Sequence, residues 1–415
     1  MENPKIRFKG FTKDWEQRKL GELVGIYDGV HQTPDYQDSG IMFLSVENIA
    51  TLKSEKYISE AAFERDYKVY PEKGDILMTR IGDVGTTNVV ETAEKVAFYV
   101  SLALLKPNGI DSYFLSNAMK TNPFLKGLRE RTLVTAIPQK INKDEIGKID
   151  IFITNNDEEQ KKIGAYFHNL DNLITLHQRK CEQTKKLKKY MLQKMFPQNG
   201  AKVPEIRFDG FTYDWEQRKL GEVLISLQSN TLSRADLSNE TGIAKNVHYG
   251  DVLIKFGDVL DVSREQLPMI KDEKILDKYK ASFLQNGDVI IADTAEDTTV
   301  GKCSEIAGLR DEVVLSGLHT IPYRPVEKFA TGYLGYYLNS GAYHDQLIPL
   351  MQGIKVTSIS KSAMQDTDIV HPKSTEEQAM IGSYFQSLDH LITLHQRKCD
   401  ELKKMKKYML QNMFI

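Results

Sequence analysis

The chain has 415 residues, which at roughly 150 per domain implies two or three domains and excludes one small module. Hydrophobic residues make up 41% and charged residues 27%, and 55 Lys and Arg against 57 Asp and Glu leave a net charge of −2. That balance excludes a disordered chain and a highly basic coat protein for nucleic acid, although not a local basic stripe. Three cysteines cannot build a disulfide scaffold and suit a reducing compartment. Without an apolar run behind the N-terminus or one of membrane-spanning length, a cytoplasmic chain with no membrane contact is expected.

The opening block, residues 4–22, reads PKIRFKGFTKDWEQRKLGE and returns at 204–222 as PEIRFDGFTYDWEQRKLGE, with 3 of 19 positions changed. Region one, residues 23–157, follows. Within it Asp75-Ile76-Leu77-Met78-Thr79-Arg80, after Gly74 and before Gly82-Asp83-Val84-Gly85, predicts a turn, a buried strand and a polar loop. Such a loop could face base edges or be an ordinary strand-to-loop turn, and the pattern leaves both open. Further on, Thr135-Ala136-Ile137-Pro138-Gln139-Lys140-Ile141 precedes a short β run, Ile149-Asp150-Ile151.

Residues 158–196 then predict one long amphipathic helix. Ile163, Phe167, Leu170, Ile174, His177, Cys181, Thr184, Lys188, Met191 and Met195 follow alternating steps of four and three. The lysine interrupts this seam, and Leu187 beside it is able to fill the gap. At 1.5 Å per residue the helix spans roughly 58 Å. It ends at Phe196-Pro197, and its outer face is basic, from Lys161 and Lys162 to Lys189 and Lys194. A charge run is usually a solvated face, yet it could also lie along a polyanion or dock a partner.

After the second opening block, region two covers residues 223–375 and shares almost nothing with region one. It repeats the turn, strand and loop, as Gly287-Asp288-Val289-Ile290-Ile291-Ala292-Asp293-Thr294 before Glu296-Asp297 and Gly301-Lys302. Gly353-Ile354-Lys355-Val356-Thr357-Ser358-Ile359 precedes Thr367-Asp368-Ile369, as in region one. The two regions therefore should share a fold without sharing a sequence. Residues 376–414 repeat the helix at 28 of 39 positions, with Ile381, Phe385, Leu388, Ile392, His395, Cys399, Leu402, Lys406, Met409 and Met413 on the seam and Met405 beside its lysine.

The expected fold is therefore α+β. Two mixed domains (residues 1–157 and 198–375) alternate with two long helices (158–197 and 376–415). Each helix would hide its apolar stripe against the other in an antiparallel, coiled-coil-like pair about a pseudo-twofold axis. Phe167, Leu170, Ile174, His177 and Cys181 would form the paired core with Phe385, Leu388, Ile392, His395 and Cys399. His177 with Cys181 and His395 with Cys399 could instead supply four zinc ligands, but their place on the apolar seam favours the core. The sequence holds no G-x-x-x-x-G-K-[ST] loop, no strand-to-helix G-x-G-x-x-G, no Asn-Pro-Pro-Tyr tetrapeptide and no G-x-S-x-G elbow.

The doubled PxIRFxGFxxDWEQRKLGE opening and the doubled LDxLITLHQRKC…LKKYMLQxMF helix resemble the specificity subunit of type I restriction–modification enzymes, and the resemblance covers the whole chain. Family members often carry an aliphatic residue at the positions of Cys181 and Cys399, which favours the core reading again. The resemblance implies that each variable region is a target recognition domain for one half of a split double-stranded DNA site. The helices would set the gap and dock two methyltransferase subunits, which two restriction and translocase subunits join. S-adenosylmethionine, ATP and Mg would serve those partners, with no cofactor or metal in this chain. Base readers are expected on the loops after the central strands: Thr79, Arg80, Thr86, Thr87 and Asn88, and Thr294, Asp297, Thr298, Thr299 and Lys302. Arg80 is the leading candidate, because a guanidinium grips guanine through two hydrogen bonds. A self-contained enzyme or a pure scaffold are the competing readings.

Overall fold

The first long helix begins at Asp157 because its opening sequence closes two structures at once. Asn156 caps it by accepting from the amides of Glu158 and Glu159 at 3.0 and 3.1 Å, and three acidic residues in the first turn suit the positive end of the helix dipole. Glu159 is fully buried and accepts from Arg7 Nε and Nη2 at 2.5 and 2.9 Å and from Thr154 Oγ1 at 2.6 Å. The repeat does the same. Glu377 accepts from Arg207 at 2.7 and 2.9 Å and from Trp215 Nε1 at 3.2 Å. The neighbouring Gln160 and Gln378 accept from the amides of Asp111 and Ala330 at 2.9 and 3.0 Å. The opening block and the helix start recur together because an Arg–Glu clamp joins them.

In the computed structural model, which describes residues 3–198 and 200–415, the two long helices run Asp157–Lys194 and Thr375–Asn412. The chain forms two compact units, Met1–Arg179 with Gln396–Ile415, and Lys180–His395. The division falls inside both helices rather than at their ends, where the sequence pattern divides the chain. Each unit holds one variable region and one half of each helix.

Within each unit the helix halves run antiparallel. In the first, Phe167 meets Phe414 at 5.7 Å between ring centroids and Asp171 meets Lys406. In the second, Phe196 stacks on Phe385 at 5.8 Å and Lys188 meets Asp389. Along the seam Phe167, Leu170, Ile174, Cys181, Phe385, Leu388 and Cys399 are buried, while His177, Ile392 and His395 are only half-buried. Among the described residues, no group of three or more His, Cys, Asp or Glu could hold a metal ion.

The seam lysines depart from expectation. Leu187 and Met405, able by position to fill the gap, remain 44% and 47% exposed. The lysines stay on the seam and find carboxylates there instead. Lys406 bonds both oxygens of Asp171 at 2.5 and 2.7 Å. Lys188 bonds Asp389 at 2.6 Å and Asp258 at 2.7 Å. These are equivalent pairs of the repeat with unequal surroundings. In the second unit one ammonium has two carboxylates, and Asn339 also donates to Asp258 at 2.8 Å. In the first unit, Lys120 shares the surroundings of Lys406 and Asp171, and burial first, then Lys406, pushes its ammonium down to about 8. Asp171→Asn is therefore expected to cost about 1–2 kcal/mol and Asp389→Asn less than about 1 kcal/mol. Urea denaturation of the two variants measures this, and equal losses would refute the asymmetry.

The variable regions share a sheet order. In the first unit it is Val24–Asp28, Leu102–Pro107, Ile76–Thr79, Thr87–Val89, with all neighbours antiparallel. In the second it is Leu224–Ser226, Thr320–Pro325, Val289–Ala292, Cys303–Ala307, with Val259–Asp261 added in parallel. A smaller three-stranded sheet accompanies each, and the opening block pairs with the strand before the helix, as Glu16–Lys19 with Asp150–Ile153 and Glu216–Lys219 with Asp368–His371. The central strands are apolar throughout because both faces are covered. Ile76 and Met78 enter the core shared with the helices while Leu77 enters a second core; Val289 and Ile291 divide from Ile290 and Ala292 in the same way. Among the described residues no helix is long and apolar enough to cross a membrane.

Candidate nucleic-acid interface

Each central strand leads through a loop into its antiparallel neighbour, Ile76–Thr79 into Thr87–Val89 and Val289–Ala292 into Cys303–Ala307. In the first unit, Thr79 closes the loop on itself. Its amide donates to Thr86 O at 2.9 Å, and its hydroxyl accepts from the Thr86 amide at 2.9 Å. Gly85 completes the turn with φ +106°, and a Cβ there would lie 2.3 Å from Leu128 Cδ2, so only glycine fits. The turn lifts Thr86 to the surface, where it donates to Asp83 at 2.6 Å. Thr87 points back inside toward Ser116 at 3.0 Å. Asn88 is half-buried and donates to Ile49 O at 3.0 Å.

Arg80, the leading candidate for a base contact, is turned inward. It is 7% exposed and ion-paired with Asp28 on the edge strand. Burial lowers the pKa of its guanidinium. Its backbone is held too, donating to Ser101 O at 2.9 Å and accepting from Ile141 at 3.0 Å. In this conformation the guanidinium is engaged by Asp28 beneath the loop. Lys302 is also held by the protein itself. It is half-buried, donates to Leu253 O at 2.7 Å, and burial lowers its pKa. Asp297, Thr298 and Thr299 are exposed, and Thr294 is half-buried. Thr294 donates to Asp293 at 2.8 Å, and Asp297 accepts the amide of Thr299 at 2.9 Å.

Thr86, Thr87 and Asn88 also line a cleft of about 650 Å³ in the first unit, with Lys53, Lys120, His168, Arg179 and Lys406 around it. The basic residues Lys53, Lys120, Arg179 and Lys406 outnumber the acids Glu91 and Asp171 in this lining. The near-neutral composition thus still leaves a locally basic cleft beside the loop after Ile76–Thr79. The pattern of charge along the helix carried a signal for Arg179. Nothing in the sequence marked Lys120, which reaches the cleft from the variable region.

The sequence matches the family described as the type I restriction modification DNA specificity domain twice, over residues 12–186 and 213–404. The type I restriction enzyme MjaVIII specificity subunit of Methanocaldococcus jannaschii is 24% identical over 411 residues, covering 96% of this chain and 91% of that protein. The putative MjaX specificity subunit of the same organism is also 24% identical, over 423 residues, covering 96% and 92%. In fold, the chain is similar to the crystal structure of a type I restriction–modification S subunit from M. genitalium, with TM-score 0.63 and 13% identity across 100% of this chain and 99% of that one. The doubled match takes in both variable regions and most of both helices, and the chain belongs to the family of type I restriction modification DNA specificity domains.

Proposed function

We propose that the chain is the sequence-reading, non-catalytic subunit of a type I restriction–modification assembly, acting on double-stranded DNA in the bacterial cytoplasm. Each variable region reads one half of a bipartite, asymmetric site, and the helices fix the gap and dock the methyltransferase subunits. The observation that carries this reading is the doubled match to a DNA specificity domain, one copy for each variable region with its helix. Two methyltransferase and two restriction–translocase subunits complete the assembly. They use S-adenosylmethionine, ATP and Mg, and this chain holds none of these. Thr86 reads in the first region, where Asn88 is held by the carbonyls of Ile49 and Ala50, and Thr294, Asp297, Thr298 and Thr299 read in the second. Arg80, Thr79, Thr87 and Lys302 shape the loops that present them.

Mapping methylated sites in cells that carry the chain with its partners tests this directly. A split motif is expected, and exchange of residues 23–157 for the region of a relative should change one half of it. If both halves change together, the regions do not read independently. The purified chain alone should show no methyltransfer, ATP hydrolysis or DNA cleavage, and turnover by the homogeneous chain would overturn the non-catalytic reading. Four residues inserted within 173–181 add about 6 Å of helix. They should lengthen the unread gap, for which we propose about 5–8 base pairs, by one or two pairs. An unchanged gap in an active variant would remove the ruler.

A further inference from the structure

In each variable region a second loop is bonded to the reading loop, and each carries an isoleucine fully open to solvent. In the first unit Leu133 and Lys140 bridge to close the loop, and Lys140 also bridges to Ile81. Gly82 donates to Gln139 O at 2.9 Å, and the Gln139 side chain returns a bond to Gly82 O at 3.0 Å. At the tip Ile137 is 100% exposed. In the second unit Gln352 and Ser358 exchange two backbone bonds of 2.9 and 2.8 Å, and Thr357–Ser358 pairs antiparallel with Thr294–Ala295. The turn needs Gly353, at φ +114°, where a Cβ would meet Val356 O at 2.0 Å. It projects Ile354, which is likewise fully exposed.

One exposed isoleucine on a soluble protein means little. Here two regions with almost no common sequence place the same kind of residue on the same loop, against the same neighbour. The tip loops themselves are basic, with Lys143 near Asp28. Residues 132–143 include Lys140 and Lys143, and residues 346–365 include Lys355 and Lys361, with no Asp or Glu in either stretch. A basic loop with an apolar tip complements a polyanion that also offers apolar edges. Duplex DNA is such a surface, with thymine methyl groups in its major groove and base steps that open to aliphatic wedges.

We propose that Ile137 and Ile354 are paired apolar contacts that enter the DNA beside each reading loop, one for each half-site. The inference rests on the DNA-reading role proposed above and adds to it. Hydrogen-bonding side chains that differ between the regions discriminate bases, while an isoleucine common to both supplies affinity without adding charge. The test uses the complex reconstituted with its methyltransferase subunits and a fluorescein-labelled duplex carrying the mapped site, with binding followed by anisotropy across a salt series. Ile137→Ala and Ile354→Ala should each weaken binding roughly tenfold, the loss expected from one aliphatic contact. The salt dependence should stay unchanged, because no phosphate contact is removed, and so should the methylated motif. Tyr213→Ala, at an equally open residue (87% exposed) in the opening block, should have no effect. Wild-type affinity in both isoleucine variants overturns the proposal, as does lost assembly with the methyltransferase while assembled complexes bind DNA normally. A wild-type complex without preference for any split site would instead overturn the reading of function, and the tips with it.

Discussion

Alanine in place of Glu377 is expected to remove about 3–5 kcal/mol of stability, the usual cost of breaking a buried ion pair from one side. Arg207 is left with a guanidinium only 15% exposed and no carboxylate, and Trp215 Nε1 loses its acceptor. Glu159→Ala should do the same to Arg7 and Thr154. Urea denaturation followed by tryptophan fluorescence measures both, since Trp15 and Trp215 lie in separate cores. A double variant that also replaces the arginine by methionine should recover much of the loss, because no charge is then stranded. A loss below about 1 kcal/mol in the single variants would mean that the clamp does not hold the helix start.

The second large effect is a dependence of stability on pH, centred on Glu305. This carboxyl is 1% exposed on the strand Cys303–Ala307, and burial raises its pKa from 4.5 to about 7 against the opposing pull of backbone amides. Gly332 and Gly335, at the start of the helix Tyr333–Asn339, donate to it at 2.6 and 3.0 Å. The folded state thus holds this proton more tightly than the unfolded chain. Its contribution is fully present below about pH 4.5, falls as pH rises, and is lost above about pH 7, amounting to roughly 3 kcal/mol across the window. Glu305→Gln keeps one acceptor for the amides and removes the titration. Thermal unfolding between pH 5 and 8 should therefore show a flatter profile in the variant than in the native chain. Parallel profiles would assign the pH response to other groups.

The helices were legible residue by residue. A seam with steps of four and three needs only a facing apolar surface, and chain order alone fixes which residues those are. What met the seam lysines was not legible. Asp171 and Asp389 each lie one helix away from their lysine, and Asp258 comes from the variable region. The central strands could be found because a run such as Val289-Ile290-Ile291-Ala292 is covered on both faces. The side chains at their ends were harder to place. The tight turn buries Thr79 and Thr87 yet exposes Thr86. The inward direction of Arg80 depends on Asp28, a residue fifty-two positions earlier in the chain. Local pattern therefore located the strand-to-loop turns, while long-range charge pairing decided which of their side chains face solvent.

The way the two units are cut from the chain bears on the order in which they can be completed on the ribosome. Lys180–His395 is one continuous stretch, so every residue of the second unit has been made before the last twenty residues emerge. The first unit must wait for them. Cys399, Leu402, Met413 and Phe414 fill its core, and Phe414 lies 5.8 Å from Trp15. Domains ordinarily finish folding from the N-terminus as synthesis proceeds, but here the half that is translated first is the half that closes last. Until residues 396–415 emerge, the apolar seam of the first unit lacks its partner. A lesion or a bulky fusion at the extreme C-terminus would accordingly injure the N-terminal recognition region while sparing the other.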